Sequence, residues 1–313
     1  MNALLDVILP VFLLIGFGYG LSHLKWVSFE MTDAVMRFAQ GIAIPVLLFG
    51  SIARLDLQQN FDMGLFASFY IGAFASFILA YLGAFYLLKR PQTDAVAIGF
   101  ACMFSNSLLL GLPITERAYG AGALAANYAI VSLHAPLLYA IGITLMELVR
   151  HKGQGLSALA LAKQVAHAIL RQPMVFGLLL GFALNFSQIS MPTFFWSAVD
   201  MLARAAIPAA LFGLGGVLYQ YRPEGDMKAI AMAVFITLII HPAITYGLGT
   251  KVFHLTTEQL RSAVVTAAMA PGVNAYLFSN MYGAARRVAA STVLLATAAT
   301  IFTAWGWLLG GAV

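Results

Sequence analysis

Runs of about twenty apolar residues, ten in number, alternate along this chain with short charged or Pro- and Gly-rich connections. A helix needs roughly that length to cross about 30 Å of hydrocarbon. Composition agrees: 61% of the residues are hydrophobic, 9% are charged, and the mean hydropathy is +0.88. Soluble domains carry about a quarter charged residues, and no water-soluble fold of 313 residues hides this much apolar surface. The solvent is therefore lipid. The period-two alternation of a membrane barrel is absent, so the spans are helical.

The runs fall near 4–23, 32–52, 62–88, 95–117 and 124–148, then 171–189, 197–219, 227–249, 261–283 and 288–311. The opening MNALLDVILP carries Asp6 and no basic residue, unlike the n-region of a signal peptide, and is read as a retained first span. Cys102 is the only cysteine, which excludes an internal disulfide. The net charge of +5 does not point to nucleic acid, because the basic residues lie in the short connections. Ten spans put Lys25, Lys89, Arg90, Arg150, Lys152, Lys163, Arg171, Arg222, Lys228, Arg286 and Arg287 on one side. Arg54, Arg117, Lys251 and Arg261 fall on the other. The richer side is predicted to be cytoplasmic, with both termini outside a cell (inner) membrane. In the connection 149–170, Lys163, His167 and Arg171 recur every four residues on one helical face. That pattern predicts a helix lying on an anionic leaflet, with a plain solvated linker as the alternative.

Comparing the two halves exposes a repeat. IPVLLFG at 44–50 returns as IPAALFG at 207–213, an offset of 163 residues. The same offset pairs Pro10 with Pro173, Gly18 with Gly181, and YGA at 119–121 with YGA at 282–284. The chain thus reads as a five-span unit at 1–148, a linker at 149–170 and a second five-span unit at 171–313. Five is odd, so the second unit starts on the opposite side of the membrane. Inverted repeats of this kind are a hallmark of secondary transporters.

Substrate sites in such folds form where helices break near the midplane and face a cavity rather than lipid. Spans 4 and 9 carry the signals. The first holds Asn106, Ser107, Gly111 and Pro113, the second Pro271, Gly272 and Asn274. Proline lacks an N–H and glycine tolerates irregular backbone, so breaks are expected at these positions. Half-helix N-termini favour anions, and Asn106 and Asn274 add neutral donors. His134, two residues before Pro136, is either a pocket donor and protonatable group or a structural histidine. Asp200 and Arg204 have the spacing of an intrahelical ion pair, read as structural or gating. No HExxH or GxSxG motif is present, which argues against an enzyme.

NSLLLGLP at 106–113, PGVNAYLFSNMYG at 271–283, LHAPLLY at 133–139 and IHPA at 240–243 give the chain a resemblance to the auxin efflux carrier family of membrane transporters over nearly its whole length. The resemblance implies ten helices with spans 4 and 9 crossing, similar to bile-acid and sodium–proton antiporter folds. It further implies a scaffold of spans 1, 2, 6 and 7 that forms a homodimer. Spans 3–5 and 8–10 would then form a transport unit moving like an elevator. By motif position, Asn106 matches the asparagine that contacts the substrate carboxylate in plant members, and Pro113 and Pro271 match the crossover prolines. His134 stands where those proteins have a glutamine, and the short 149–170 connection departs from their long loop.

Together these readings predict a carrier of small organic anions, possibly malonate-like, working in the lipid bilayer. Its expected site is Asn106, Ser107, Pro113, His134, Pro271, Gly272 and Asn274. No cofactor or metal is expected, and sodium or a proton is left open as a coupling ion. The alternatives are a sodium-coupled carrier of bulkier amphipathic acids, and a sensor or channel.

Overall fold

The computed structural model describes residues 4–151 and 157–309. The expectations for Lys152, for the middle of the 149–170 connection and for the extreme chain ends lie outside the described residues. Among the described residues every regular element is a helix. Thirteen are named here: α1 Leu4–His23, α2 Phe29–Ala53, α3 Met63–Leu87, α4 Gln92–Met103, α5 107–119, α6 Ala121–Arg150, α7 Ala158–Leu170, α8 Pro173–Ser187, α9 Thr193–Gln220, α10 Met227–Lys251, α11 Thr257–Ala267, α12 Val273–Tyr282 and α13 Arg286–Leu309. Seven of them (α1, α2, α3, α6, α9, α10 and α13) are long and apolar enough to cross a membrane, or eight spans if the bent pair α7–α8 counts as one.

Seven or eight is fewer than the ten runs read from sequence, for physical reasons. Runs 4 and 9 are each split into two short helices, α4 with α5 and α11 with α12. Run 6 yields α8, only 15 residues long, started by Pro173 at its first turn and stopped by Gln188 in the left-handed conformation (φ 54°). In the connection before it, α7 forms with no buried residue.

Proline does not act uniformly as a helix breaker here. Five π-helical turns occur among the described residues, and four of them end two residues before a proline: Leu4–Ile8 before Pro10, Ala39–Ala43 before Pro45, Ser107–Gly111 before Pro113, and Ile236–Ile240 before Pro242. A proline within a helix cannot donate to the carbonyl four residues back and clashes with it. Widening the preceding turn carries the chain past the ring. The proline then sits in the first turn of the next α-helical stretch, where no N–H is needed.

The described residues fall into two compact units. One comprises Pro10–Asn60 and His167–Gln220, which contain α1 from Pro10 onward, α2, α8 and α9. Lipid tails are as apolar as leucine, so helices in a bilayer associate through close packing of small residues rather than by escaping water. Glycines supply that approach here. A Cβ on Gly18 would stand 1.9 Å from the Phe212 carbonyl oxygen, and one on Gly215 would stand 2.0 Å from that of Ile15. A Cβ on Gly177 would stand 2.2 Å from the Pro45 carbonyl oxygen, and one on Gly181 3.0 Å from that of Phe49. Thus α1 lies against α9, and α8 against α2. Asn185 of α8 donates to the carbonyls of Ile52 and Leu55 at the end of α2, at 2.9 and 2.8 Å.

Asp200 does not pair with Arg204, as its spacing suggested. Its carboxylate takes two hydrogen bonds from Arg54, at 2.7 and 3.2 Å, and the Arg54 guanidinium also stacks on Trp196, 4.7 Å from the ring centroid. The forked geometry of arginine matches both oxygens of one carboxylate.

The other unit comprises Met1–Leu9, Phe61–Ala166 and Tyr221–Val313, and so holds α3 to α6 and α10 to α13. Asp62 and Asp226 cap the first turns of α3 and α10, accepting from Leu65 N at 2.8 Å and Lys228 N at 3.0 Å. Phe69, Phe100 and Phe278 are fully buried, with the rings of Phe100 and Phe278 stacked 3.9 Å apart.

Candidate functional site

Helix α4 ends at Met103 because Phe104 (ψ 76°) turns the chain out of the helix. Asn106 then occupies an inverse γ-turn (φ −76°, ψ 60°), with Ser107 N donating to Ser105 O at 2.8 Å. In the other half, α11 ends at Ala267, and Gly272 in extended conformation starts α12. These two irregular stretches meet. Asn106 N donates to Ala270 O at 2.7 Å and Gly272 N to Phe104 O at 3.1 Å, a two-bond antiparallel bridge centred on Ser105 and Pro271. Backbone groups freed by each break are therefore satisfied by the other, which is how irregular backbone persists at membrane depth.

This geometry moves the first break. Gly111 and Pro113 were expected to interrupt span 4, but they lie inside α5: Gly111 ends its π-helical turn and Pro113 sits buried in the first α-helical turn after it. Asn106, whose side chain takes a backbone partner as the cap of α5, lies at the interruption instead. In the second half Pro271 does lie at the break.

Two half-helices thus begin at the bridge. Asn106 caps α5, its Oδ1 accepting from Leu109 N at 3.2 Å, and its Nδ2 has no acceptor among the described residues. Gly272 offers α12 no side-chain cap, and the N–H groups of Val273 and Asn274 have no acceptor among the described residues. Asn274 is half-buried, and its Oδ1 accepts from the Tyr139 hydroxyl at 3.3 Å. His134 on α6 reaches the bridge from the side, with Nε2 3.1 Å from Ser105 O. Carbonyl oxygens only accept, so Nε2 carries the proton in this arrangement. The rings of Phe104 and Phe69 flank the imidazole at 4.8 and 5.6 Å.

The structure therefore brings Asn106, Ser107, His134, Pro271, Gly272 and Asn274 to one region and leaves Pro113 farther along α5. Sequence reading omitted Ser105 and Tyr139. Ser105 was legible in principle, as the other serine of the SNS triplet, and its buried hydroxyl has no partner. Tyr139 ends the LHAPLLY motif, but its partner lies 135 residues away, so its place at the site was not legible. Asn127 was also overlooked: fully buried, it donates to Thr266 Oγ1 at 2.6 Å and ties α6 to α11 just before the second break.

A many-helix apolar chain whose two broken helices meet through their own backbones has the build of a multi-pass membrane transporter rather than of an enzyme. The chain belongs to the family described as "Membrane transport protein", whose model matches residues 3–308; this is the auxin efflux carrier grouping that its motifs resemble. It is 24% identical over 309 residues to a Rhizobium meliloti (strain 1021) protein named "Putative malonate transporter", covering 98% of this chain and 96% of that relative. It is 22% identical over 310 residues to the "Uncharacterized transporter YfdV" of Escherichia coli (strain K12), covering 96% and 95% of the two chains.

Proposed function

We propose that this transporter is a secondary carrier of small organic anions, carboxylates of about malonate's size, and that it binds them where α4–α5 and α11–α12 meet. The observation that carries the reading is the start of α12, where the N–H groups of Val273 and Asn274, without acceptors among the described residues, follow Gly272, which packs against Asn106. A helix N-terminus carries partial positive charge and free donors, so a carboxylate is favoured there without a fixed cation stranded in lipid. The malonate named for the Rhizobium relative supports this size and charge of substrate.

In this reading α4–α5, α8 and α11–α12 add three spans to the seven long helices, giving ten in two inverted repeats. The glycine contacts support it. The offset of 163 residues that relates the halves converts Gly18 against Phe212 into Gly181 against Phe49, so one packing arrangement occurs twice with the repeats exchanged. The division into two compact units supports alternating access of the elevator kind, with the four-helix unit as scaffold and dimer-forming part and the other as the moving part. The excess of basic residues in alternate connections supports an inner-membrane protein with both termini outside.

Counterflow in proteoliposomes loaded with a panel of mono- and dicarboxylates tests the proposal. Saturable exchange of one acid, lost in Asn106→Ala, is the expected result. Absence of exchange for every acid, from folded protein, removes it.

A further inference from the structure

We propose that His134 takes up a proton when the anion binds, so that the carrier moves proton and carboxylate together; this rests on the anion site described above. An anion entering a buried site without a fixed cation is held only by dipoles, and its field favours any nearby group able to become positive. His134 is that group. It is 3% exposed, and its Nε2 is held 3.1 Å from Ser105 O, one residue from Asn106. Its Nδ1 is buried, has no partner, and carries the lone pair that would accept the proton.

His134 bonds to the bridge backbone itself, whereas His241, a second buried imidazole whose Nδ1 also has no partner, bonds to Phe69 O. Tyr70 on α3 faces the imidazole at 6.3 Å between rings, His241 on α10 lies beyond Phe69, and Tyr139 lies across Phe104. None of these is a carboxylate or a permanent cation. On the helices packed against α6, Asp94 accepts from Ala285 N, Cys102 lies against Ala233 O, Arg261 stacks on Tyr119, Arg117 donates to Asp6 O, and Glu116 and Glu258 are exposed. With the site empty, an imidazolium there has no counter-charge and the neutral ring prevails. With a carboxylate at the α12 N-terminus, each charge offsets the burial cost of the other. Binding linkage is reciprocal, so proton uptake driven by the anion means tighter anion binding at lower pH. The proton bookkeeping closes: one proton from water forms the Nδ1–H bond as the anion binds, and it leaves when the anion is released on the other side.

The test is malonate binding to the full-length protein in detergent, by calorimetry in buffers of differing ionisation enthalpy at about pH 7 to 8, where free malonate is fully ionised. Wild type is expected to take up a proton per malonate, with affinity rising about tenfold for each unit of falling pH. His134→Gln keeps a neutral donor for Ser105 O but cannot be protonated, and is expected to bind with neither proton uptake nor pH slope. Retention of both in His134→Gln overturns the proposal, as does wild-type binding without proton uptake. In proteoliposomes, an inward proton gradient is expected to drive malonate accumulation by wild type. Exchange without any response to the gradient leaves the carrier reading standing and removes the coupling. Absence of both exchange and binding removes the carrier reading, and the coupling with it.

Discussion

Asn106 carries two duties on one carboxamide: its oxygen caps α5 and its nitrogen remains free to donate. Substitution separates them. Asn106→Asp keeps the capping oxygen and puts a negative charge where the anion is proposed to bind. It is expected to retain the wild-type melting temperature and lose malonate binding in the same calorimetric measurement. Asn106→Ala removes both duties, costing about 1 kcal/mol of cap energy and weakening binding. An Asp variant that still binds malonate normally would move the site away from this residue. The Arg54–Asp200 pair is a separate matter. Its side chains are 46% and 38% exposed, so its coupling energy is expected to stay below about 1 kcal/mol. Thermal unfolding of the two single charge reversals and their double exchange measures that coupling, and a much larger value would mean that the pair sits in a drier environment than its exposure indicates.

Among elements, what distinguishes these helices is how they tolerate glycine and proline. Gly215 and Gly177 bring helix backbones into contact, leaving no room for a methyl group. Gly215→Ala and Gly177→Ala are each expected to destabilise by about 1–3 kcal/mol, seen as lowered melting temperatures in detergent. Gly16→Ala and Gly247→Ala, facing open space, are expected to be neutral or slightly stabilising, since alanine favours helix by up to about 1 kcal/mol over glycine. Pro113 makes a sharper case. Because the chain breaks at Ser105 and Asn106 and only widens before Pro113, Pro113→Ala is expected to impair malonate counterflow less than Asn106→Ala does. Equal loss in both would return the break to the proline. The run around 106–113 was recognisable in sequence as interrupted. Which residue interrupts it was not, because that depends on an acceptor at Ala270, over 160 residues along the chain.

For the whole molecule, the proposed motion predicts a change of exposure at the bridge. In a Cys102→Ser background, Ser105→Cys is expected to react with a membrane-impermeant maleimide from either face of sided vesicles, with malonate shifting the balance between faces. Reaction from one face only, with or without malonate, would argue against alternating access through this site.

What the sequence alone determined is what depends on local pattern: helices in lipid, the recurrence of motifs between the two halves, and the two segments where polar residues and Gly or Pro interrupt an apolar run. These follow from hydropathy and backbone chemistry within a few turns of chain. Only the tertiary structure decided that the first break lies at Ser105 and Asn106, that Asp200 pairs with Arg54, and that His134 touches the bridge. Each depends on which distant residue offers a carbonyl, a guanidinium or a close backbone, and such partners are chosen by packing rather than by spacing along the chain.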